Sequence, residues 1–389
     1  VEKAKIRKLH EFYKQNLIDV MTFWSKNGPD LDYGGIFTCL DRTGEIYNTD
    51  KSVWFQGRAL WVYSHLYNTF EKREEWLKTA TSIYRFLIDH CSDKTGKMYF
   101  SVTRDGKPLQ KRRYIFSETF AIIGLAEYSR ACGDKSALDK AWALHKRVLD
   151  IYRDPLGIQP KIDPATRTGR NHSLPMILLA TTQCLREIDP RPQCDALTLE
   201  FVDTVLKYFF KPDEKALFEN VGPNGERMDS PQGRLINPGH AIESAWFIMH
   251  EGLVRNDRIM INTAIEILDC SLEIGWDTEY GGLLSFVDIE GKPPEQLEWD
   301  MKMWWPHTEA LYATLLAHSI TGSQRYEEWF DKIHDYSFNH FADSDGEWFG
   351  YLHRDGSVSN TLKGSMWKGP FHLPRALLLC TRQFGKMIL

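Results

Sequence analysis

Six stretches of this chain repeat one local pattern at a nearly fixed interval, and that interval limits the possible folds more than any other feature. Each reads as the start of a helix, with a polar or ionisable residue set among aromatics, glycine or proline. They are VWFQGR (Val53 to Arg58), FSETF (Phe116 to Phe120), NHSLP (Asn171 to Pro175), PGHAIE (Pro238 to Glu243), WPHTEA (Trp305 to Ala310) and PFHLPR (Pro370 to Arg375). Successive starts lie about 55 to 67 residues apart. Self-similarity on this scale marks stacked or closed supersecondary units, because one such unit cannot bury its apolar face alone.

The segments between these helices keep the same rhythm. DYGGIFTCLDRTGEI (32–46), GKMYFSVTRDGKP (96–108), LGIQPKIDP (156–164), ALFENVGPNGE (216–226), YGGLLSFVDIEGKP (280–293) and EWFGYLHRDGS (347–357) recur every 60 to 67 residues. Most carry apolar or aromatic residues followed by a TG, DG, NG or EG turn, which signals a hairpin. Tyr33-Gly34-Gly35 even returns as Tyr280-Gly281-Gly282.

Between consecutive hairpins there is room for two helices. In the first pair Ile6, Leu9, Phe12, Tyr13, Leu17, Val20 and Trp24 fall on one face, as in an outer helix with a single buried stripe. The stretch from Trp54 to Tyr67 is apolar over most of its circumference, as in an inner helix. Similar pairs follow at 73–90 with 114–131, 135–152 with 172–187, 193–210 with 240–255, 257–274 with 305–320 and 323–341 with 372–384. The expected fold is all-α: an (α/α)6 barrel over residues 1–389 as a single domain, with six inner helices ringed by six outer ones. An open solenoid is the alternative, and the coherent polar openings favour closure. Hairpins joining outer to inner helices leave the inner N-termini at one mouth, where free N–H groups and positive dipole ends favour oxyanions. Pro238, Pro306 and Pro370 sit where a first helical turn tolerates proline.

Composition narrows the function classes. A net charge of −5 without a basic block argues against nucleic acid. No apolar run approaches the roughly 18 residues needed to span a membrane. Seven scattered cysteines without CxxC fit a reduced, cytoplasmic protein better than a disulfide framework. The opening VEKAKIRKLHEFYKQ is charged and amphipathic, unlike a signal peptide. Thirteen tryptophans are numerous, and Trp54, Trp246, Trp304, Trp305 and Trp367 fall near the helix openings. Indole faces stack on the C–H faces of sugars, so a carbohydrate pocket is expected, with other tryptophans in the core.

Within the openings, His240 and His372 are the strongest candidates for chemistry. Each lies in a first turn with an ionisable residue three positions on, Glu243 and Arg375, and residues so spaced share a face. Arg58 is the only basic residue of its apolar stretch until His65, and a buried arginine needs a carboxylate or an anionic ligand. Glu309 is a carboxylate in a similarly apolar helix; it pairs with Arg58, or both reach substrate. His307 faces away from Glu309 by its spacing, and Glu118 and His172 complete the ring. Trp54, Trp246 and Trp305 join them as expected substrate contacts. No metal centre is expected: His240-x-x-Glu243 has no second copy, and neither HExxH nor a cysteine cluster is present. No phosphate-binding glycine motif or GxSxG elbow occurs.

Two histidines on opposite walls of a sugar pocket suit inversion at a carbon acid. One removes a proton from C2 of the open-chain aldose, and the other returns a proton to the opposite face. Arg58 would hold the C1 oxygen as charge builds on the enediolate. No nicotinamide is then needed.

Long stretches of the chain resemble the N-acylglucosamine 2-epimerase family: YGGIFTCLDRTGEIY, VWFQGRALWVY, IFSETF, LFENV, INPGHAIESAWF, QLEWDMKMWWPHTEAL, GEWFGYLHRDGSV and KGPFHLPRALL. The resemblance implies an (α/α)6 barrel interconverting N-acetylglucosamine and N-acetylmannosamine, with catalytic roles on Arg58, His240, Glu309 and His372. It also implies activation by ATP or another nucleotide that is not consumed, and a homodimer. His172 departs from the animal members, whose matching stretch is apolar, and points toward a shifted substrate range. The alternatives are an aldose–ketose isomerase or a cellobiose or mannose 2-epimerase of the same superfamily, and more remotely an (α/α)6 glycoside hydrolase using Glu118 and Glu309.

Overall fold

The computed structural model describes residues 2–112, 114–154, 163 and 165–388. The third expected hairpin (156–164) lies almost wholly outside them. Twelve helices are found among the described residues. Six form the outer layer: α1 (Glu2–Asn27), α3 (Glu74–His90), α5 (Lys135–Arg153), α7 (Pro192–Thr204), α9 (Arg258–Gly275) and α11 (Gln324–His340). The inner layer is α2 (Val53–Thr69), α4 (Phe116–Cys132), α6 (Ser173–Ile188), α8 (Pro238–Arg255), α10 (Trp304–Thr321) and α12 (His372–Ile388). Among the outer helices, each inner one packs most closely on the helix that follows it (α2 on α3, α4 on α5, α6 on α7, α8 on α9, α10 on α11), successive inner helices touch from α2 to α12, and α12 returns to pack on α1. The ring is therefore closed, as the expected (α/α)6 barrel requires.

Burial explains the two layers. Helices α4 and α10 are covered along nearly their whole length, whereas α3 and α11 bury one stripe and expose the rest. Trp24, Trp76 and Trp348 belong to this core and account for part of the tryptophan count. The closest inner contact depends on missing side chains. A Cβ on Gly57 would stand 2.5 Å from the Phe120 carbonyl carbon, and one on Gly124 would stand 2.5 Å from Gly57 O. Helices α2 and α4 thus touch backbone to backbone, which sets Arg58 directly beside Phe120.

The mouth is laced by two-residue antiparallel pairs. Residues leading into an inner helix pair with the hairpin of the next unit: Lys51 and Ser52 with Val102 and Ser101, and Lys302 and Met303 with Leu352 and Tyr351. The repeated Tyr-Gly-Gly triplet marks two equivalent turns. Gly34, Gly35, Gly281 and Gly282 have φ between 74° and 78°, a region open to glycine at little cost. Under each turn a buried lysine meets a carboxylate at 2.8 Å, Lys51 with Asp30 and Lys302 with Asp277. Arg104 and Arg354 close the two sites from outside at 3.0 and 2.9 Å. Buried charges are tolerated there because each is both paired and hydrogen-bonded.

Pro238 opens α8 as expected, but Pro370 precedes α12, whose first turn holds Pro374 instead. No helix among the described residues is long and apolar enough to cross a membrane.

Candidate active site

The inner N-termini meet at one mouth, and α8, α10 and α12 supply most of its ionisable groups. Asn237 caps α8, its Oδ1 accepting from His240 N at 3.1 Å, and so fixes the first turn that carries His240. Next to it Gly239 leaves room for an indole: a Cβ there would lie 2.5 Å from the Trp305 ring. Trp305 consequently sits between the two histidines, with ring centroids 5.3 Å from His240 and 5.8 Å from His372. His240 keeps 26% of its side chain exposed and His372 only 9%, so both are reached from the mouth but to different depths.

Each histidine presents Nδ1 to a carboxylate. His372 Nδ1 is 2.8 Å from Glu309 Oε1, and His240 Nδ1 is 3.0 Å from Glu219 Oε2. An imidazole held at Nδ1 leaves Nε2 as its working nitrogen. Burial drives the His372 value well down, and the nearby Arg58 and Arg375 cations push the same way. Burial also opposes charge on His240, but Glu219 outweighs it and the value is raised. Glu219 itself is lowered to about 2, because the two imidazoles beside it overcome its burial.

Glu309 does not pair with Arg58. Its Oε1 accepts from Arg375 Nη2 at 2.7 Å and its Oε2 from Trp246 Nε1 at 2.9 Å. The same Arg375 nitrogen donates to Glu243 at 2.7 Å, so one guanidinium bridges both carboxylates. Arg58 is half-buried without an ion pair among the described residues, and its buried Nε has no hydrogen-bond partner. Its guanidinium stacks 3.9 Å over Phe120 and 4.7 Å over Phe371. Burial lowers its value to about 9. No carboxylate among the described residues pairs with it, which leaves the guanidinium free to meet an anionic ligand.

Not every expected residue faces this space. Glu118 Oε1 accepts from Met98 N at 3.0 Å and from Lys97 Nζ at 2.9 Å, which ties it to the second hairpin. His307 Nε2 accepts from Leu283 N at 2.9 Å and its ring stacks on Tyr336. Gln56 does the same for Ile36 N at 3.0 Å. All three are clamps between an inner helix and its own hairpin, so the structure turns Glu118 and His307 away from the sugar contacts expected of them. The reason is positional: each is the third or fourth residue of its helix, where the hairpin backbone passes and needs an acceptor.

Trp54 stands at the rim, edge-on to Phe100, Phe116, Phe120 and Trp367 within 5.4 to 5.7 Å. Fully buried His172 bonds Ser244 Oγ through Nε2 at 2.8 Å, with its ring centroid 6.4 Å from that of His240. Glu219 was not among the expected residues, although its hairpin was; no local signal distinguishes it from other hairpin carboxylates. Two groups could hold a cation by distance, His172 with Glu219 and His240, and Glu243 with Glu309 and His372, each within 4.8 Å. In the second, Arg375 already supplies the positive charge.

Comparisons with known proteins bear on the family and the fold. A family model described as N-acylglucosamine 2-epimerase (GlcNAc 2-epimerase) matches residues 35–373. The N-acylglucosamine 2-epimerase of Bos taurus is 35% identical, over 100% of this chain and 94% of its own length. That of Mus musculus is also 35% identical, over 96% and 91%. Among solved structures, the cellobiose 2-epimerase of Spirochaeta thermophila superposes with a TM-score of 0.85 at 22% identity, covering 99% of both chains.

Proposed function

The chain belongs to the N-acylglucosamine 2-epimerase family, and on that premise we propose that it interconverts N-acetyl-D-glucosamine and N-acetyl-D-mannosamine by proton exchange at C2. The observation that carries the reading is the pair of imidazoles on either side of Trp305, each held at Nδ1 by a carboxylate. One Nε2 takes the C2 proton of the open-chain sugar. The C2–H electron pair moves into the C1–C2 bond, and the carbonyl electrons move onto the C1 oxygen. The second imidazole then protonates C2 from the opposite face, and the carbonyl re-forms. Arg58, a cation with no ion-pair partner among the described residues, suits the oxygen on which charge develops. Glu309, Glu243 and Arg375 hold His372 in place, while Trp305 and Trp54 offer faces for the sugar.

The test is proton NMR of N-acetylmannosamine in heavy water. Product carrying deuterium at C2 is the expected result; retention of the original hydrogen overturns the two-base reading. Mannose and cellobiose run beside it separate this reading from a neutral-sugar epimerase or an isomerase, which buried His172 keeps in view. A hydrolase would need two free carboxylates about 5 to 10 Å apart, and Glu118 is committed to its hairpin. Family resemblance further supports a nucleotide activator, a homodimer and a cytoplasmic location. Rates with and without ATP, light scattering and cell fractionation test these three in turn.

A further inference from the structure

The two histidines are held alike but not charged alike. Glu309, which faces His372, accepts from Arg375 at 2.7 Å, a guanidinium it shares with Glu243. Arg58 adds a second cation acting on His372. Glu219, which faces His240, meets no arginine or lysine within ion-pair range among the described residues. Its side-chain partners are imidazoles: His240 at 3.0 Å and His172 Nδ1 at 3.7 Å. The Glu219 backbone is pinned on both sides, its N–H donating to Leu235 O and its carbonyl accepting from His172 N. The carboxylate is therefore fixed where it stands.

We infer that Glu219 is a positioning residue that leaves His240 holding a proton in the free protein, while His372 waits unprotonated on the other wall. The inference rests on the two-histidine reading above and adds a direction to it. A carboxylate without a guanidinium partner stabilises a proton on its imidazole, whereas one already neutralised by arginine does so far less. The groups acting on His240 are Glu219, Glu243, His172 and His372; those acting on His372 are Glu309, Glu243, Arg58, Arg375 and His240. The balance is acidic around the first, whereas around the second two arginines offset the two carboxylates. His172 adds no charge: burial lowers its value, and Ser244 fixes its ring through Nε2. Its bulk occupies the flank from which another cation could reach Glu219.

The free protein is then prepared for the epimer whose C2 hydrogen faces His372. The other epimer must be met by the opposite proton arrangement, in which His240 is neutral and His372 charged. One turnover in the forward direction moves a proton from C2 to His372 and another from His240 to C2, leaving the second arrangement behind. Return to the resting form needs net proton movement from His372 to His240 through solvent, and no other reagent.

Nitrogen-15 NMR of the imidazoles in the sugar-free wild-type protein tests this directly. His240 is expected to titrate above the ordinary value of about 6.5 and His372 below it. Coincident titrations, or the reverse order, overturn the inference. Glu219→Gln should move the His240 titration down by about one pH unit and leave His372 in place. It should also lower kcat about 10- to 100-fold with little change in KM. Glu219→Asp should restore part of both. An unmoved His240 in a folded Glu219→Gln protein overturns the inference too. Should that variant fail to fold, the wild-type titrations decide alone. None of these titrations uses sugar, so wild-type protein without turnover on N-acetylmannosamine would count against the substrate reading and not against this one.

Discussion

His372 Nδ1 lies 2.8 Å from Glu309 Oε1, and the same oxygen receives Arg375 Nη2 at 2.7 Å. The imidazole is thus oriented by a carboxylate that also holds an arginine, while burial and the cations of Arg58 and Arg375 keep the ring's value well down and its Nε2 available. This arrangement and its counterpart at His240 lead to five expectations.

Replacing either histidine should remove one face of the exchange. His240→Asn and His372→Asn are each expected to lower epimerisation about 10²- to 10⁴-fold, with circular dichroism and unfolding midpoint close to wild type. Full activity in either variant would remove that residue from the mechanism.

The pH profile of kcat/KM should be a bell. His372 must be neutral to accept a proton, and its value is lowered, so the acid limb lies below about 6.5. His240 must be charged to donate, and its value is raised, so the alkaline limb lies above it. The stability that Glu219 lends to charged His240 is present below the unfolded value and lost as pH rises through the folded one.

Arg375 bridges two buried carboxylates, so Arg375→Met should be costly. Glu243 and Glu309 would face each other uncompensated, a loss of about 3–5 kcal/mol. Urea unfolding measures it, and a cost below about 1 kcal/mol would mean that the bridge holds little.

Arg58 presents the opposite case. It is half-buried with no ion-pair partner among the described residues, so Arg58→Met should leave thermal stability unchanged or raise it while abolishing turnover. A clear fall in the unfolding midpoint would show that its stacking on Phe120 outweighs the burial of its charge.

His307 should be replaceable by the residue that does its job in the first unit. His307→Gln keeps an acceptor for Leu283 N, as Gln56 does for Ile36, and should retain activity within about threefold. His307→Ala leaves that N–H unpaired and should cost about 1–3 kcal/mol of stability.

The repeat made the fold legible in the chain, because six openings and six hairpins at one spacing leave little besides a ring of helix pairs. The same repeat held the signal that separates clamps from catalytic candidates. Gln56, Glu118 and His307 occupy matching places in their helices, and a glutamine there points to a backbone acceptor and not to a base. His240 and His372 were readable through their first-turn positions. Glu219 was not, because it reaches His240 from a hairpin 21 residues away in sequence, and nothing local marks a carboxylate whose partner is a separate helix. The unpaired state of Arg58 was also hidden: Glu309 was its expected partner, and only packing gave that carboxylate to Arg375.

Closure of α12 onto α1 carries a consequence for how the protein comes into being. During synthesis Arg58, Glu219, His240 and Glu309 all leave the ribosome before His372. The helix that brings His372 is also the one that lies against α1, made well before it. A nascent chain can assemble five-sixths of the wall and still lack its second base. Activity therefore begins at the moment α12 meets α1.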